Sequence, residues 1–407
     1  MKQEESKASS SSQMLLWFGA AISIAEIITG ALLAPLGLKT GLLAIVVGHI
    51  IGAAILLPAG LIGAKTGLSA AQSVSVSFGK YGSYGFSVLN ILQLLGWTAI
   101  MIINGAKAFN AITMELWNFQ NQSLWSIAIG LLICLWVILG IKNLAKVNPF
   151  IMLALFVFTI ILGVTVFQNG GANAPVEGSI TFGSAVELNV AMSLSWLPLI
   201  ADYTRNLKKK RSGTVCSVLG YFVGSLIMFV IGLGAAIYAG TSDITVILLS
   251  AGLGLAALVI VLFSTVTTTY LDVYSAGVCA ANLHKKPGEK ISALIVCAVG
   301  TILALFVSMS QYESFLYLIG SVFAPLFAIL FTDYFLCGKQ ETSSRFNIKN
   351  TVLWVVGFVA YQFLMPYNSV LGITLPVMVG MGLISFFVGK IEEKFKFTEK
   401  AFPSQKS

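Results

Sequence analysis

The sequence predicts an all-α integral membrane protein built from twelve transmembrane helices. Three observations carry that prediction. Of the 407 residues, 57% are apolar and 10% charged, against about 25% charged in soluble domains. Twelve apolar runs reach the ~20 residues a helix needs to cross the bilayer core. Lys and Arg alternate from loop to loop, as the excess of basic residues in cytoplasmic loops requires.

Taken in order, residues 1–13, "MKQEESKASSSSQ", are polar and Ser-rich. They lack the charged, apolar and small-residue order of a cleavable signal peptide and predict a disordered cytoplasmic tail. One transmembrane domain follows over 14–390, and a second cytoplasmic tail over 391–407. The spans fall at about 14–35, 41–63, 84–109, 124–140, 147–167, 184–201, 215–239, 251–279, 291–309, 313–336, 351–366 and 371–389, numbered 1 to 12 below.

With the N-terminus inside, the inner segments hold Lys2 and Lys7; Lys65 and Lys80; Lys142 and Lys146; Arg205, Lys208, Lys209, Lys210 and Arg211; Lys285, Lys286 and Lys290; Lys339, Arg345 and Lys349; and Lys390, Lys394, Lys396, Lys400 and Lys406. That is 22 of the 24 basic residues; only Lys39 and Lys107 fall outside. Both termini are therefore expected in the cytoplasm, with the chain in the cell (inner or plasma) membrane. The net charge of +8 and the run "KKKR" at 208–211 follow from this topology. No aromatic-interleaved basic domain accompanies the run, so nucleic acid is not an expected partner.

Ionisable groups at membrane depth cost ~2.5–3.5 kcal/mol each on insertion scales and usually face a cavity or a partner. Four stand inside spans: Glu26, His49, Lys107 and Asp272; Glu187, Asp202 and Asp333 lie near helix ends. Glu26 is near the middle of span 1, with Gly19 and Gly30 on either side, so this helix can unwind there. It reads either as a ligand group or as a packing partner between helices. Span 6 is weakened by Ser193, Ser195 and Pro198. Two interrupted helices opening two five-helix halves point to an inverted-repeat transporter with its site at the breaks.

In span 8, Ser264, Thr268, Asp272 and Ser275 recur at helical spacing, making one face polar throughout. Hydroxyls and carbonyls suit a hard cation such as Na⁺. In span 3, Gln93 and Trp97 share a face; composition leaves Trp97 open between core packing and a stacking platform for a flat ligand. His49 reads as a packing histidine, and Lys107 as a side chain snorkelling outward. The five cysteines have neither CxxC nor zinc-type spacing and read as small packing residues. No HExxH, GxSxG, Walker or dinucleotide motif occurs, so the chain is not expected to be an enzyme and needs no cofactor beyond a coupling ion, Na⁺ or H⁺.

The strings "GAKTGLSAAQSVSVSFGKYGS", "GWTAIMIINGAKAFNAI", "IADYTRNLKK" and "YLIGSVFAPLFAILFTDYF" resemble the nucleobase:cation symporter-1 family, which includes the cytosine permeases. Within it the chain most resembles the CytX-type hydroxymethylpyrimidine transporters linked to thiamine-precursor salvage. The resemblance implies a LeuT-like fold, a 5+5 inverted repeat plus two helices. It implies a pyrimidine bound between spans 1, 3, 6 and 8 and cation symport by alternating access. It assigns the stacking aromatic of span 3 to Trp97. The second aromatic position, counted back from "DYTR", falls on Ser193, with Trp196 three residues on. It places a cation near Ile22 and Ala25 of span 1 and Ser264, Thr267 and Thr268 of span 8. The span 8 Asn of the family is replaced, leaving Asp272 and Thr269 nearby. Glu26, Gln93, Trp97, Ser193, Trp196 and Asp272 are thus the expected substrate ligands. The competing cargo is cytosine or another nucleobase; the competing class is a sensor or channel without coupled transport.

Overall fold

The computed structural model describes residues 7–168, 176–242, 255–308, 311–342, 344–367 and 369–401. The ends of both predicted tails (1–6 and 402–407) and the start of span 8 (251–254) lie outside the described residues. Helix covers most of every predicted span. The helices are α1 (Ser10–Ala21), α2 (Ile24–Ala31), α3 (Gly37–Thr66), α4 (Ala70–Trp117), α5 (Gln122–Gln168), α6 (Phe182–Leu194) and α7 (Leu197–Thr204). They continue with α8 (Lys210–Ala239), α9 (Leu255–Leu283), α10 (Glu289–Phe306), α11 (Tyr312–Phe331), α12 (Ile348–Leu364) and α13 (Thr374–Ala401). Among the described residues, eight helical stretches are long and apolar enough to cross a membrane; the count of twelve rests on the sequence. Side chains such as Leu131, Phe363 and Ile348 stand two-thirds exposed on the outer helices. This is the surface of a multi-pass membrane protein, which lipid covers.

Spans 1 and 6 are both interrupted. Span 1 breaks at Ile22 and Ser23, where Ser23 turns extended (φ −140°, ψ 155°) and its Oγ accepts from the Glu26 N–H, starting α2 afresh. Span 6 breaks at Ser195 and Trp196. Pro198 has no N–H to give the Leu194 carbonyl, and the Leu199 N–H turns to Trp196 O at 3.1 Å. Span 4 runs into span 5 through Gly140, whose φ of 73° only glycine adopts readily.

The packing of the halves is reciprocal. Helices α1 and α2 lie along α8, while α6 and α7 lie along α3; α4 lies along α9, and α5 along α10. Span 1 on span 7 thus has its counterpart in span 6 on span 2, and span 3 on span 8 maps onto itself. Because five crossings reverse direction, the second half enters the membrane inverted. Lipid gives little hydrophobic drive for helices to associate, so close backbone approach takes its place. Gly48 of α3 meets α6 so tightly that a Cβ there would strike Asn189 and the Val186 carbonyl. The predicted end-group Glu187 ties α6 to the outer helices. Its carboxylate accepts from the Tyr361 hydroxyl (2.6 Å), the Thr374 hydroxyl (2.6 Å) and the Ile373 and Thr374 N–H groups (2.6 and 2.9 Å). That places it at the start of α13, where anionic charge is favoured.

Helix α1 begins at Ser10, four residues before predicted span 1, and α13 runs on to Ala401. Before α1, Ala8 pairs with the segment after α7: its N–H donates to Asn206 O and its carbonyl accepts from Lys208 N, both at 2.9 Å.

Candidate functional site

Where α1, α2, α6 and α7 face α4 and α9, the breaks open a small cavity of about 20 Å³. That is room for water rather than for a six-membered ring. Ala20, Ser23, Ala25 and Glu26 line it from span 1, Trp97 and Met101 from span 3, Met192, Ser195 and Trp196 from span 6, and Thr268 and Asp272 from span 8. The four spans named by the sequence thus meet at one place.

Two tryptophans shape the cavity. Trp97 is held edge-on by Tyr312 and Phe315, with ring centroids 6.2 and 5.5 Å away, and its buried Nε1 has no hydrogen-bond partner among the described residues. Trp196 is wedged by Trp17 at 5.3 Å and Tyr221 at 5.9 Å. The span 6 aromatic is therefore Trp196. Ser193, at the position the resemblance marked, lies outside the cavity wall and packs against Gly52 of α3.

The two acids of the wall are differently bound. Both Glu26 oxygens are taken by α8: Tyr221 donates to Oε1 at 2.8 Å, and Ser225 Oγ is hydrogen-bonded to Oε2 at 2.7 Å. Asp272 is buried, yet among the described residues it makes no hydrogen bond or ion pair. Gln93 does not line the cavity. Its amide donates to Ser195 O at 3.0 Å, at the break itself, and Asn90 donates to Pro198 O at 3.0 Å just beyond it, so α4 braces span 6 at its break.

Of the expected cation ligands, Thr268 alone reaches across to span 1, donating to Ala20 O at 3.2 Å. Thr267 and Ser264 donate to carbonyls of their own helix, Phe263 at 2.6 Å and Val261 at 3.2 Å. Thr269 likewise donates to Thr265 O. The Ala25 carbonyl is occupied by the Thr29 hydroxyl at 2.7 Å, and Ile22 is buried at the break, off the cavity wall. The carbonyl facing span 8 is that of Ala20.

Sequence reasoning missed Tyr221, Ser225 and the role of His49, which accepts or donates at Ser225 Oγ, 2.8 Å away. The signal was present: Tyr221 and Ser225 are four apart on an apolar helix and so share a face.

Residues 1–389 match the family described as "Permease for cytosine/purines, uracil, thiamine, allantoin". The cytosine permease of Escherichia coli (strain K12) is 25% identical over 83% of this chain and 82% of its own length. The hydantoin permease of Microbacterium maritypicum is 23% identical over 81% of this chain and 73% of its own. Among solved structures, Mhp1, a nucleobase-cation-symport-1 family transporter in a closed conformation with bromovinylhydantoin bound, superposes with a TM-score of 0.79 at 20% identity. The match covers 98% of this chain and 94% of that one. A Na⁺-coupled sialic acid symporter superposes with a TM-score of 0.69 at 14% identity, covering 95% of this chain and 89% of the other. These likenesses establish the LeuT-like fold.

Proposed function

The chain belongs to the nucleobase:cation symporter-1 family of permeases, and from that premise we propose that it imports a pyrimidine, hydroxymethylpyrimidine first, by cation symport with alternating access. The observation that carries this reading is Asp272, an unpartnered buried acid in a cavity walled by Trp97 and Trp196. Aromatic faces hold a flat ring of any base by stacking. The acid adds direction. A 4-aminopyrimidine presents an exocyclic N–H donor beside a ring nitrogen. A carboxylate pairs with the ring-protonated edge through two charge-assisted bonds, and a carboxylic acid with the neutral edge through one bond each way. The idle Nε1 of Trp97 offers a further donor to a ring substituent.

The cavity is too small for such a ring as it stands, so the ligand enters by parting α1, α2, α6 and α7 from α4 and α9. The coupling cation is read as Na⁺ between the Ala20 carbonyl and the Thr268 hydroxyl, or as H⁺. The membrane is the plasma membrane, with both termini in the cytoplasm.

Cytosine is the second reading. It shares the amino-pyrimidine edge, and the likeness to a cytosine permease over most of both chains favours it. Uptake of labelled hydroxymethylpyrimidine, challenged by unlabelled cytosine, uracil and hydantoin with and without Na⁺, separates the two. Concentrative uptake blocked by unlabelled hydroxymethylpyrimidine but not cytosine supports the first reading. Stronger competition by cytosine supports the second. Equilibration without accumulation under any ion gradient rejects symport altogether.

A further inference from the structure

Glu26, Ser225 and His49 form a chain of hydrogen bonds running from the cavity wall to α3. Ser225 Oγ lies 2.7 Å from Glu26 Oε2 and 2.8 Å from His49 Nε2. The other ring nitrogen, Nδ1, lies 2.8 Å from the Ile45 carbonyl. A carbonyl only accepts, so Nδ1 carries a hydrogen. The serine hydroxyl has one hydrogen and serves one of its two contacts. The other contact needs a hydrogen of its own, on Glu26 Oε2 or on His49 Nε2.

Without it, lone pair would face lone pair at hydrogen-bond distance in a fully buried place, since Glu26, His49 and Ser225 are each no more than 1% exposed. An unsatisfied contact of that kind is costly away from water. The trio is therefore complete with one proton more than a carboxylate plus a neutral imidazole.

We infer that Glu26, Ser225 and His49 constitute a single proton-binding site shared by three helices. The two arrangements of the proton interconvert by a balanced shift. In one, Glu26 is a neutral acid donating to Ser225 Oγ, and Ser225 donates to a neutral His49. In the other, the Glu26 proton has passed to Ser225 Oγ while the serine proton has passed to His49 Nε2, leaving a carboxylate and an imidazolium. Release of the proton to solvent leaves a carboxylate and a neutral imidazole, and one of the two short contacts is lost. Occupancy of the site thus decides whether Ser225 bonds Glu26 of α2 and His49 of α3 together or only one of them, while Tyr221 keeps its own bond to Glu26.

The groups facing the trio from neighbouring elements are few. Tyr221 of α8 donates to Glu26 Oε1. The Tyr312 hydroxyl of α11 bonds Thr29, one turn along α2. Asp272 of α9 shares the cavity wall, where α6 and α4 present Met192, Trp97 and Met101. On the His49 side stand the Asn189 side chain of α6 and the rings of Phe222 and Phe229. Among the described residues, neither Glu26 nor Asp272 is paired with a Lys or Arg. A proton is then the nearest positive charge the site can take. That this proton drives uptake rests on the reading in the preceding section; its existence does not.

The test needs no substrate. Full-length protein in nanodiscs is titrated by infrared difference spectroscopy between about pH 5 and about pH 9, the range in which histidine-coupled sites exchange protons. A protonated-carboxyl C=O band that vanishes in Glu26→Gln and persists in Asp272→Asn is expected. His49→Gln is expected to move the midpoint of that band by a pH unit or more, about tenfold in proton affinity. Glutamine at position 26 still donates to Ser225, so that variant is expected to elute and melt as the parent does. No Glu26 band at any pH overturns the proposal if a ¹⁵N spectrum also finds His49 uncharged throughout. A Glu26 midpoint unmoved by His49→Gln also overturns it. If uptake of both named pyrimidines fails while these spectral results hold, the cargo assignment falls and the proton site stands.

Discussion

Glu26 and Asp272 line one cavity, yet one is fully employed by its neighbours and, among the described residues, the other by none. Asp272 is therefore the acid available to a ligand. Asp272→Asn is expected to weaken binding of the proposed pyrimidine at least tenfold, since hydrogen bonds to a charged group are worth ~1.5–3 kcal/mol; a substrate-induced melting shift measures it. Trp196→Ala is expected to cost about as much, at ~1–3 kcal/mol per stacked base. Ser193→Ala should leave affinity unchanged, because Ser193 packs on Gly52. Residue identities at the site were largely legible: seven of the eleven lining residues, Ala25, Glu26, Trp97, Ser195, Trp196, Thr268 and Asp272, stand out in the sequence. What a linear sequence withheld was direction. Whether Glu26 points into the cavity or toward α8 depends on the rotation of α2 after the Ser23 turn. That Trp196 replaces Ser193 in the wall depends on the register of a broken helix, which residue counting treats as continuous.

At the scale of elements, both interruptions were visible beforehand, because glycine, serine and proline clusters weaken a helix wherever they fall. Their exact joints were not. The break in span 1 is set by the Ser23 cap rather than by the flanking glycines. The break in span 6 is stabilised by Asn90 and Gln93, which sit on a different helix. Gln93 thus reads as a ligand in the sequence and as a brace in the fold. Gly48→Leu is expected to destabilise the α3–α6 contact by ~1–3 kcal/mol, as overpacking does, seen as a lower melting temperature and poor surface expression. Glu187→Ala removes the acceptor of four donors, one on α12 and three at the start of α13. It is expected to lower the melting temperature while leaving the ligand affinity of surviving protein intact, because Glu187 is not in the cavity wall.

For the molecule as a whole, basic-residue alternation sets the expected orientation, while the reciprocal packing of the halves carries the inverted repeat. Charge counting reads the loops, and helix packing reads the interior. The expected orientation is directly measurable: a cysteine placed in the exposed "KKKR" segment, at Lys209, should react with a membrane-impermeant thiol reagent in inside-out vesicles and not in intact cells. The two broken spans also share a mechanical link outside the membrane-spanning helices. Ala8 is hydrogen-bonded on both sides to the residues following α7, so the half-helices α1 and α7 are yoked at their loop ends. With that yoke, tilting one about the Ile22–Ser23 joint is expected to draw the other about the Ser195–Trp196 joint, so that the two move as one leaf rather than two. A chain shortened through Ser9 would lose that yoke. Its two half-helices would then open out of step, and the expected symptom is slippage: ion flux no longer matched, turn for turn, by pyrimidine.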